Sequence, residues 1–353
     1  MRLAIRVDAS PTIGAGHAMR CITLAKALRR AFKANNIQLE VTAVSTQGAN
    51  MLETAFKSAD ISITYVPQLE SDVGHINAEV WVVDHYKLDA KFESELVDNG
   101  AMVVVIDDLA NRRHNCHLLI DVNLSKHSEK RYTSLVPKDC VQLIGPKYAL
   151  LREEFYQARQ KNINRIPKHV LVCFGGSDPT NTTSTALQAV AKVKELGLTA
   201  DVVIGAGNIY KQTVVEQGRL IDGVTIHINS DNMAELMCKA SLMIGAGGSM
   251  HWERCACDLP GVIITIADNQ REATEYLATQ SGCDYLGHVS SVTSDDIATS
   301  LRNHFSTAAK ELDAQTDLNK IVPPGGGASL ISKEMISLMR NRDSERGLSI
   351  EKH

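Results

Sequence analysis

The stretch Arg2–Asn36, RLAIRVDASPTIGAGHAMRCITLAKALRRAFKANN, passes from an apolar run through a glycine turn into a helical stripe. Leu3–Val7 has the length and apolar content of a short strand. Pro11–Gly16 carries turn residues. From His17 onward, Met19, Ile22, Leu24, Ala25 and Leu28 return at helical spacing, and the stripe runs out near Asn35–Asn36. The pattern continues, with strands expected at Leu39–Val44, Ile61–Val66, Val80–Val83 and Met102–Ile106 and helices between several of them, such as Ala49–Ser58 and Ala90–Asn99. Strands alternating with helices imply βαβ units and a parallel sheet.

The segment Lys147–Lys168 breaks the rhythm. It is rich in charge and Asn and reads as a linker. The pattern then restarts: His169–Phe174 as strand, Gly175–Asn181 as turn, Thr182–Leu196 as helix. Later strands are expected at Asp201–Ile204, Val224–Ile228, Leu242–Ile244 and Val262–Ile266. The two halves echo each other in architecture without forming a sequence repeat. Lys310–Lys320 and Gly325–Arg340 read as closing helices, and the polar tail after Arg340 as loose. At about 150 residues per domain, 353 residues suggest two. The expected fold class is α/β, with two Rossmann-like domains, 1–150 and 165–345, facing across a cleft outside the carboxyl ends of their sheets.

Composition narrows the partners. Apolar residues make up 44% and charged residues 22%, as in a packed globular chain. A net charge of −4 offers no general attraction to nucleic acid or to an anionic membrane, so neither is an expected partner. The N-terminal apolar run is short and interrupted by Arg6, and no stretch approaches the roughly 18 apolar residues of a spanning helix, which points to a cytoplasmic protein. The eight cysteines show no paired CxxC pattern and read as reduced and structural. A monomer is expected, since a cleft between two domains is complete without a partner.

Three glycine turns carry the candidate chemistry. In the first, Gly14-Ala15-Gly16-His17, backbone N–H groups at a helix start favour an anion, and a His beside that positive end suits a general base. A His that merely caps the helix gives the same pattern. The turn is not the dinucleotide fingerprint, because Met19 fills the place of its third glycine, and no cofactor is expected. In the second, Phe174-Gly175-Gly176-Ser177-Asp178-Pro179, Gly175 and Ser177 are placed to touch a phosphate or a sugar, though a plain strand–helix turn looks alike. The third, Ile244-Gly245-Ala246-Gly247-Gly248-Ser249-Met250-His251-Trp252-Glu253, is the most informative. Gly247, Gly248 and Ser249 form a small-residue loop for an anion on a helix N-terminus, and Glu253 suits a ribose diol, the alternative being a capping partner of Ser249. Asn269 and Gln270 follow the next strand in a polar loop. No D-x-D and no His/Asp/Glu cluster of metal spacing occurs, so no metal is expected, and His251 reads as a wall residue.

Six blocks in order carry a resemblance: RVDASPTIGAGHAMRCITLAKAL, VVDHYKLD, VVVIDDLANRRHNCHLLIDVNL, GPKYALLREEF, FGGSDPTN and GAGGSMHWERCACDLPGVIITIADNQ. Together they resemble the UDP-sugar hydrolases of pseudaminic acid biosynthesis, which act on UDP-2,4-diacetamido-2,4,6-trideoxy-β-L-altropyranose. The likeness spans nearly all of the first 275 residues. It implies a GT-B-like fold, a UDP-sugar partner, and metal-independent cleavage of the anomeric C–O bond by water with inversion. It also implies that His17 is the catalytic histidine, that Tyr86 and Asn269 stand at the reacting sugar, and that Glu253 binds the uridine ribose. Asp84, His85, Arg20 and Asp8 lie in neighbouring turns and rank below His17. Met250-His251 and Gly261 depart from the pattern, away from the base. Two other readings use the same features: a glycosyltransferase with the same His17 and an alcohol acceptor, and a nucleotide-sugar sensor without turnover.

Overall fold

A computed structural model describes residues 1–8, 16–46, 50–69, 73–161, 163–306, 318–323 and 325–350. The chain divides into two compact units. The first comprises Met1–Asn123, His127–Arg152 and Gly325–His353, the second Leu124–Lys126 and Glu153–Pro324.

The first unit is built on a parallel sheet of β1 (Arg2–Val7), β2 (Glu40–Thr46), β3 (Ser62–Val66), β4 (Val80–Asp84), β5 (Met102–Ile106), β6 (Leu118–Asp121) and β7 (Val141–Ile144). Its helices are α1 (Gly16–Lys33), α2 (Asn50–Ser58) and α3 (Ala90–Asp98), together with the last helix of the chain. Strand order is β3-β2-β1-β4-β5-β6-β7, so the direction of winding reverses between β1 and β4. The alternation of side chains along a strand sends Leu3, Ile5 and Val7 to one face, under α1, and Ala4 to the other, with Trp81 and Phe92. Both faces are buried, which is why these strands read as nearly continuous apolar runs. Leu24 and Leu28 of α1 are fully buried, and truncating either to Ala costs about 2–5 kcal/mol.

The second unit has a parallel sheet of β8 (His169–Cys173), β9 (Thr199–Ile204), β10 (Val224–Ile228), β11 (Leu242–Ala246), β12 (Gly261–Thr265) and β13 (Asp284–His288), in the order β10-β9-β8-β11-β12-β13. Its helices are α4 (Glu153–Gln160), α5 (Thr182–Lys192), α6 (Lys211–Arg219), α7 (Met233–Lys239), α8 (Ser249–Ala256), α9 (Arg271–Thr279), α10 (Ser294–Phe305) and α11 (Leu318–Ile321). Here the winding reverses between β8 and β11.

The structure corrects the sequence reading at four places. The 147–168 linker contains α4, whose Phe155 and Ala158 are buried. The second compact unit does not run to residue 345: α12 (Gly327–Ile350) belongs to the first unit, where Ala328, Ile331 and Met335 pack in the core with α1. The tail expected to be loose after Arg340 continues α12 to Ile350. Strands β6 (Leu118–Asp121), β7 (Val141–Ile144) and β13 (Asp284–His288) are not among the expected strands. Of the helix expected at Lys310–Lys320, residues 310–317 lie outside the described residues.

All eight cysteines are free, and seven of them are buried. Among the described residues, no helix is long and apolar enough to cross a membrane.

Candidate active site

Open parallel sheets bind ligands outside the carboxyl ends of the strands where the winding reverses. In the first unit that point lies between β1 and β4, whose ends are in register at Val7 and Asp84. His17 is the second residue of α1, on the same helix face as Cys21, Leu24 and Leu28, so its ring turns inward and is only 7% exposed. There it meets Asp84, the last residue of β4, with Nδ1 2.6 Å from Oδ1. A carboxylate only accepts, so this contact puts a proton on Nδ1, which Arg20 Nη2 also approaches at 3.1 Å, and in the neutral ring Nε2 is then the acceptor.

Asp84 is the hub. Arg20, one turn after His17 on α1, donates Nε to Oδ2 at 2.6 Å and Nη2 to Oδ1 at 2.5 Å. The Cys21 thiol donates to Oδ2 at 3.4 Å. Burial opposes ionisation of Asp84, but the charge of Arg20 and the hydrogen bonds of Arg20 and His17 outweigh it and hold the carboxyl well below its usual range. Arg20 also donates Nη1 to Asp108 Oδ2 at 3.2 Å, and the same oxygen accepts from the Tyr86 hydroxyl at 3.2 Å. The Tyr86 ring stands edge-on to His17, with centroids 4.7 Å apart. Burial and the Asp108 charge push the Tyr86 phenol upward, so it stays protonated.

A second knot locks the end of β1. Arg6, fully buried inside the strand, grips Asp8 through both carboxylate oxygens at 2.8 and 3.2 Å. Ser45 Oγ and the Thr46 N–H donate to Asp8 Oδ1, each at 2.8 Å. His85 accepts the Lys87 N–H at Nδ1, so its Nε2 carries the proton directed at Asp8 Oδ2, 3.2 Å away. Burial alone would raise the Asp8 carboxyl; the hydrogen bonds of His85 and Arg6 and the Arg6 charge hold it well below its usual range. Further along the same edge, Arg112 and Tyr132 donate to Asp107, and His114 is clasped by Glu93 at 2.7 Å. Burial opposes the charge on His114, but Asp107 and Glu93 outweigh it and raise the imidazole to about 9.

The second unit places its glycine loops at its own reversal point. Gly175 and Ser177 follow β8, Gly247, Gly248 and Ser249 follow β11, and those strands pair directly. The two loops differ. Asp178 Oδ1 and Oδ2 accept the N–H groups of Thr182 and Thr183, each at 2.9 Å, so the start of α5 is already occupied by a carboxylate. No side chain caps α8, whose cap residue is Gly248 at φ +80°, a conformation that disfavours any L side chain. The start of α8 therefore follows a glycine loop with no side-chain cap on its N–H groups. It also answers the capping alternative for Glu253, since Ser249 makes no cap and Glu253, half-buried, lies a full turn beyond it. A Cβ at Gly205 would sit 2.2 Å from Gly176 O, so the loops after β8 and β9 touch backbone to backbone.

Gln270 packs beside Gly247 and Gly248, and its Oε1 accepts the Ile266 N–H at 3.0 Å. Asn269 is exposed in the short helical turn Asp268–Gln270. His251 is a wall residue, fully buried, bonded to Thr274 at 2.8 Å and kept neutral by burial and by the charge of Arg254.

The structure thus brings His17 and Tyr86 together with Gly16 beside them, while Asn269, Glu253, Gln270 and the other glycines belong to the second unit. Gly14 lies outside the described residues. The sequence reading passed over Arg6, Asp107, Asp108 and Arg131. Its available signals were a charged residue inside an apolar strand and the run Asp107–Arg113, dense in charge, directly after β5.

Residues 170–321 match the glycosyltransferase family 28 C-terminal domain. The chain is 25% identical to the UDP-2,4-diacetamido-2,4,6-trideoxy-beta-L-altropyranose hydrolase of Campylobacter jejuni, over 79% of its own length and 96% of that protein's. The resemblance read from the six blocks stands. The chain is also 27% identical over 82% of its length to an uncharacterized protein of Methanocaldococcus jannaschii, of which the match spans 59%. Among solved structures, MurG of Acinetobacter baumannii has a TM-score of 0.61 at 12% identity, with 96% of this chain and 99% of that one covered. With two parallel-sheet units and this likeness, the fold is GT-B-like.

Proposed function

We propose that the protein is a hydrolase that cleaves the anomeric C–O bond of UDP-2,4-diacetamido-2,4,6-trideoxy-β-L-altropyranose. The observation that carries this reading is the His17–Asp84 contact at the reversal point of the first sheet, which leaves Nε2 as the acceptor. The name of the Campylobacter jejuni relative supports the choice of reaction and sugar.

In the step, His17 Nε2 takes a proton from water as the water oxygen attacks the anomeric carbon on the face opposite UDP. The C–O bond breaks and its electron pair leaves on the β-phosphate oxygen. The sugar is released with inverted configuration. A positioned base contributes about 10²–10⁴-fold. Asp84 holds the ring orientation and stabilises the imidazolium that forms. Tyr86 and Asn269 are assigned to the sugar and water. The second unit holds UDP, with the diphosphate at Gly247, Gly248 and Ser249 on the start of α8, the ribose diol at Glu253, and Gly175, Ser177 and Gln270 completing the nucleotide site. Helix-end and backbone N–H groups carry the leaving-group charge, so no metal is assigned to the step.

The test is phosphorus NMR with this UDP-sugar in ¹⁸O-water, with excess EDTA and no acceptor. UDP release with the label in the sugar supports the reading. Label in UDP would show P–O cleavage and overturn it. Release only after an alcohol acceptor is added would favour a transferase, the reading suggested by the glycosyltransferase family 28 match.

A further inference from the structure

We infer that Asp108 is a specificity-determining residue: its Oδ1 accepts a hydrogen bond from an N–H or O–H donor on the sugar ring. This inference rests on the proposed hydrolase reading and names a contact within it.

Asp108 follows β5 directly at the carboxyl edge of the first sheet, next to the strand that ends in Asp84. It is held from several sides. Oδ2 accepts Arg20 Nη1 and the Tyr86 hydroxyl, each at 3.2 Å, and the backbone carbonyl accepts Arg131 Nη2 at 3.1 Å. Oδ1 is buried and has no hydrogen-bond partner. A buried acceptor without a donor is rare in native structures, because water lost on burial must be replaced. Here the carboxylate is fixed in orientation, one oxygen is satisfied and the other is unpaired.

The unpaired oxygen is close to the chemistry. Tyr86 hydroxyl lies on Oδ2 of the same carboxylate, and the Tyr86 ring touches the base His17 edge-on. A carboxylate oxygen accepts only, so the ligand group must donate. The proposed sugar, lacking a 6-hydroxyl, carries three such donors away from the anomeric centre: two acetamido N–H groups and the 3-hydroxyl. A site built to pair a polar group discriminates strongly against an analogue that lacks it. Asp108 thereby couples recognition of the sugar to the element that holds His17, since Arg20 bonds both Asp108 and Asp84.

The test uses the full chain, wild type and Asp108→Asn, with four substrates: the parent UDP-sugar, its 2-N-methyl and 4-N-methyl acetamido analogues, and its 3-deoxy analogue. In the variant the amide carbonyl keeps the place facing Arg20 and Tyr86 and turns a donor toward the open side. Expected is a loss of about 10–100-fold in kcat/KM on the parent, with UDP affinity unchanged, and a loss below about threefold on the one analogue that lacks the paired donor. That analogue distinguishes amide from hydroxyl. An equal loss on all four substrates would overturn the inference, because Asp108 would then act only through Arg20 and Tyr86. So would an unchanged parent kcat/KM. If wild type turns over none of the four, the hydrolase reading fails, and the same comparison made as dissociation constants by calorimetry still decides the role of Asp108.

Discussion

The carboxyl edges of the two sheets are built from opposite materials. In the first unit the edge is a row of carboxylates, Asp8, Asp84, Asp107, Asp108 and Asp121, at or just after strand ends, with Arg6, His17, Arg20, His85, Arg112 and Arg131 bonded among them. In the second unit the corresponding edge is largely backbone: glycine loops after β8, β9 and β11, with Asp178 bonded to the start of α5, and the uncapped start of α8. The same βαβ geometry therefore serves two ends. Fixed, titratable side chains suit the movement of a proton, and backbone N–H groups with a helix dipole suit a large anion that must come and go.

The sharpest way to break this contrast is at His17. His17→Phe is expected to lower kcat/KM by about 10²–10⁴-fold while the dissociation constant for UDP stays the same by calorimetry. Weakened UDP binding would mean that the first unit also serves the nucleotide. Asp84→Asn comes next, with a fall in kcat on the order of 10²-fold at unchanged KM, because an amide no longer selects the Nδ1–H ring. Retention of full kcat would remove Asp84 from the division of labour.

Smaller effects probe the backbone side. Gly205→Ala forces a Cβ against Gly176 O and is expected to cost about 1–3 kcal/mol in denaturant unfolding of the second unit. UDP affinity should fall with it, while kcat at saturating substrate holds. Unchanged UDP affinity would dissociate the loop after β8 from the nucleotide site.

The mildest test is pH. His114 is raised in the folded state from 6.5 to about 9, so its stabilisation is fully present below pH 6.5 and is lost as pH rises toward 9. Melting followed from pH 6 to 9 should show the first unit weakening across that window, and His114→Gln should flatten the slope. An equal slope in the variant would place the pH dependence elsewhere.

Much of this was legible in the linear chain. The strand–glycine–helix grammar located His17, the loop Gly247–Ser249 and the restart at His169, since each depends on neighbours within a few residues. The partners were not legible. His17 and Asp84 are 67 positions apart, and Arg20 and Asp108 are 88 apart. Asp108 sits in a run of charges that a sequence pattern cannot tell from a solvated loop. Nor does any local signal attach α12 to the first unit. Its apolar residues have helical spacing, but their burial beside α1 depends on a surface made more than 290 residues earlier.

The amino-acid order by itself determined the elements and the chemistry each turn can offer, because propensity, turn residues and helix ends are short-range properties. Only the tertiary structure decided which groups act together. Strand β4 pairs with β1 although β2 and β3 intervene in the chain, and that reversal of winding sets Asp84 against His17. Buried ion pairs form where the sheet order brings side chains within about 3 Å, and sheet order is a cooperative property of the whole core.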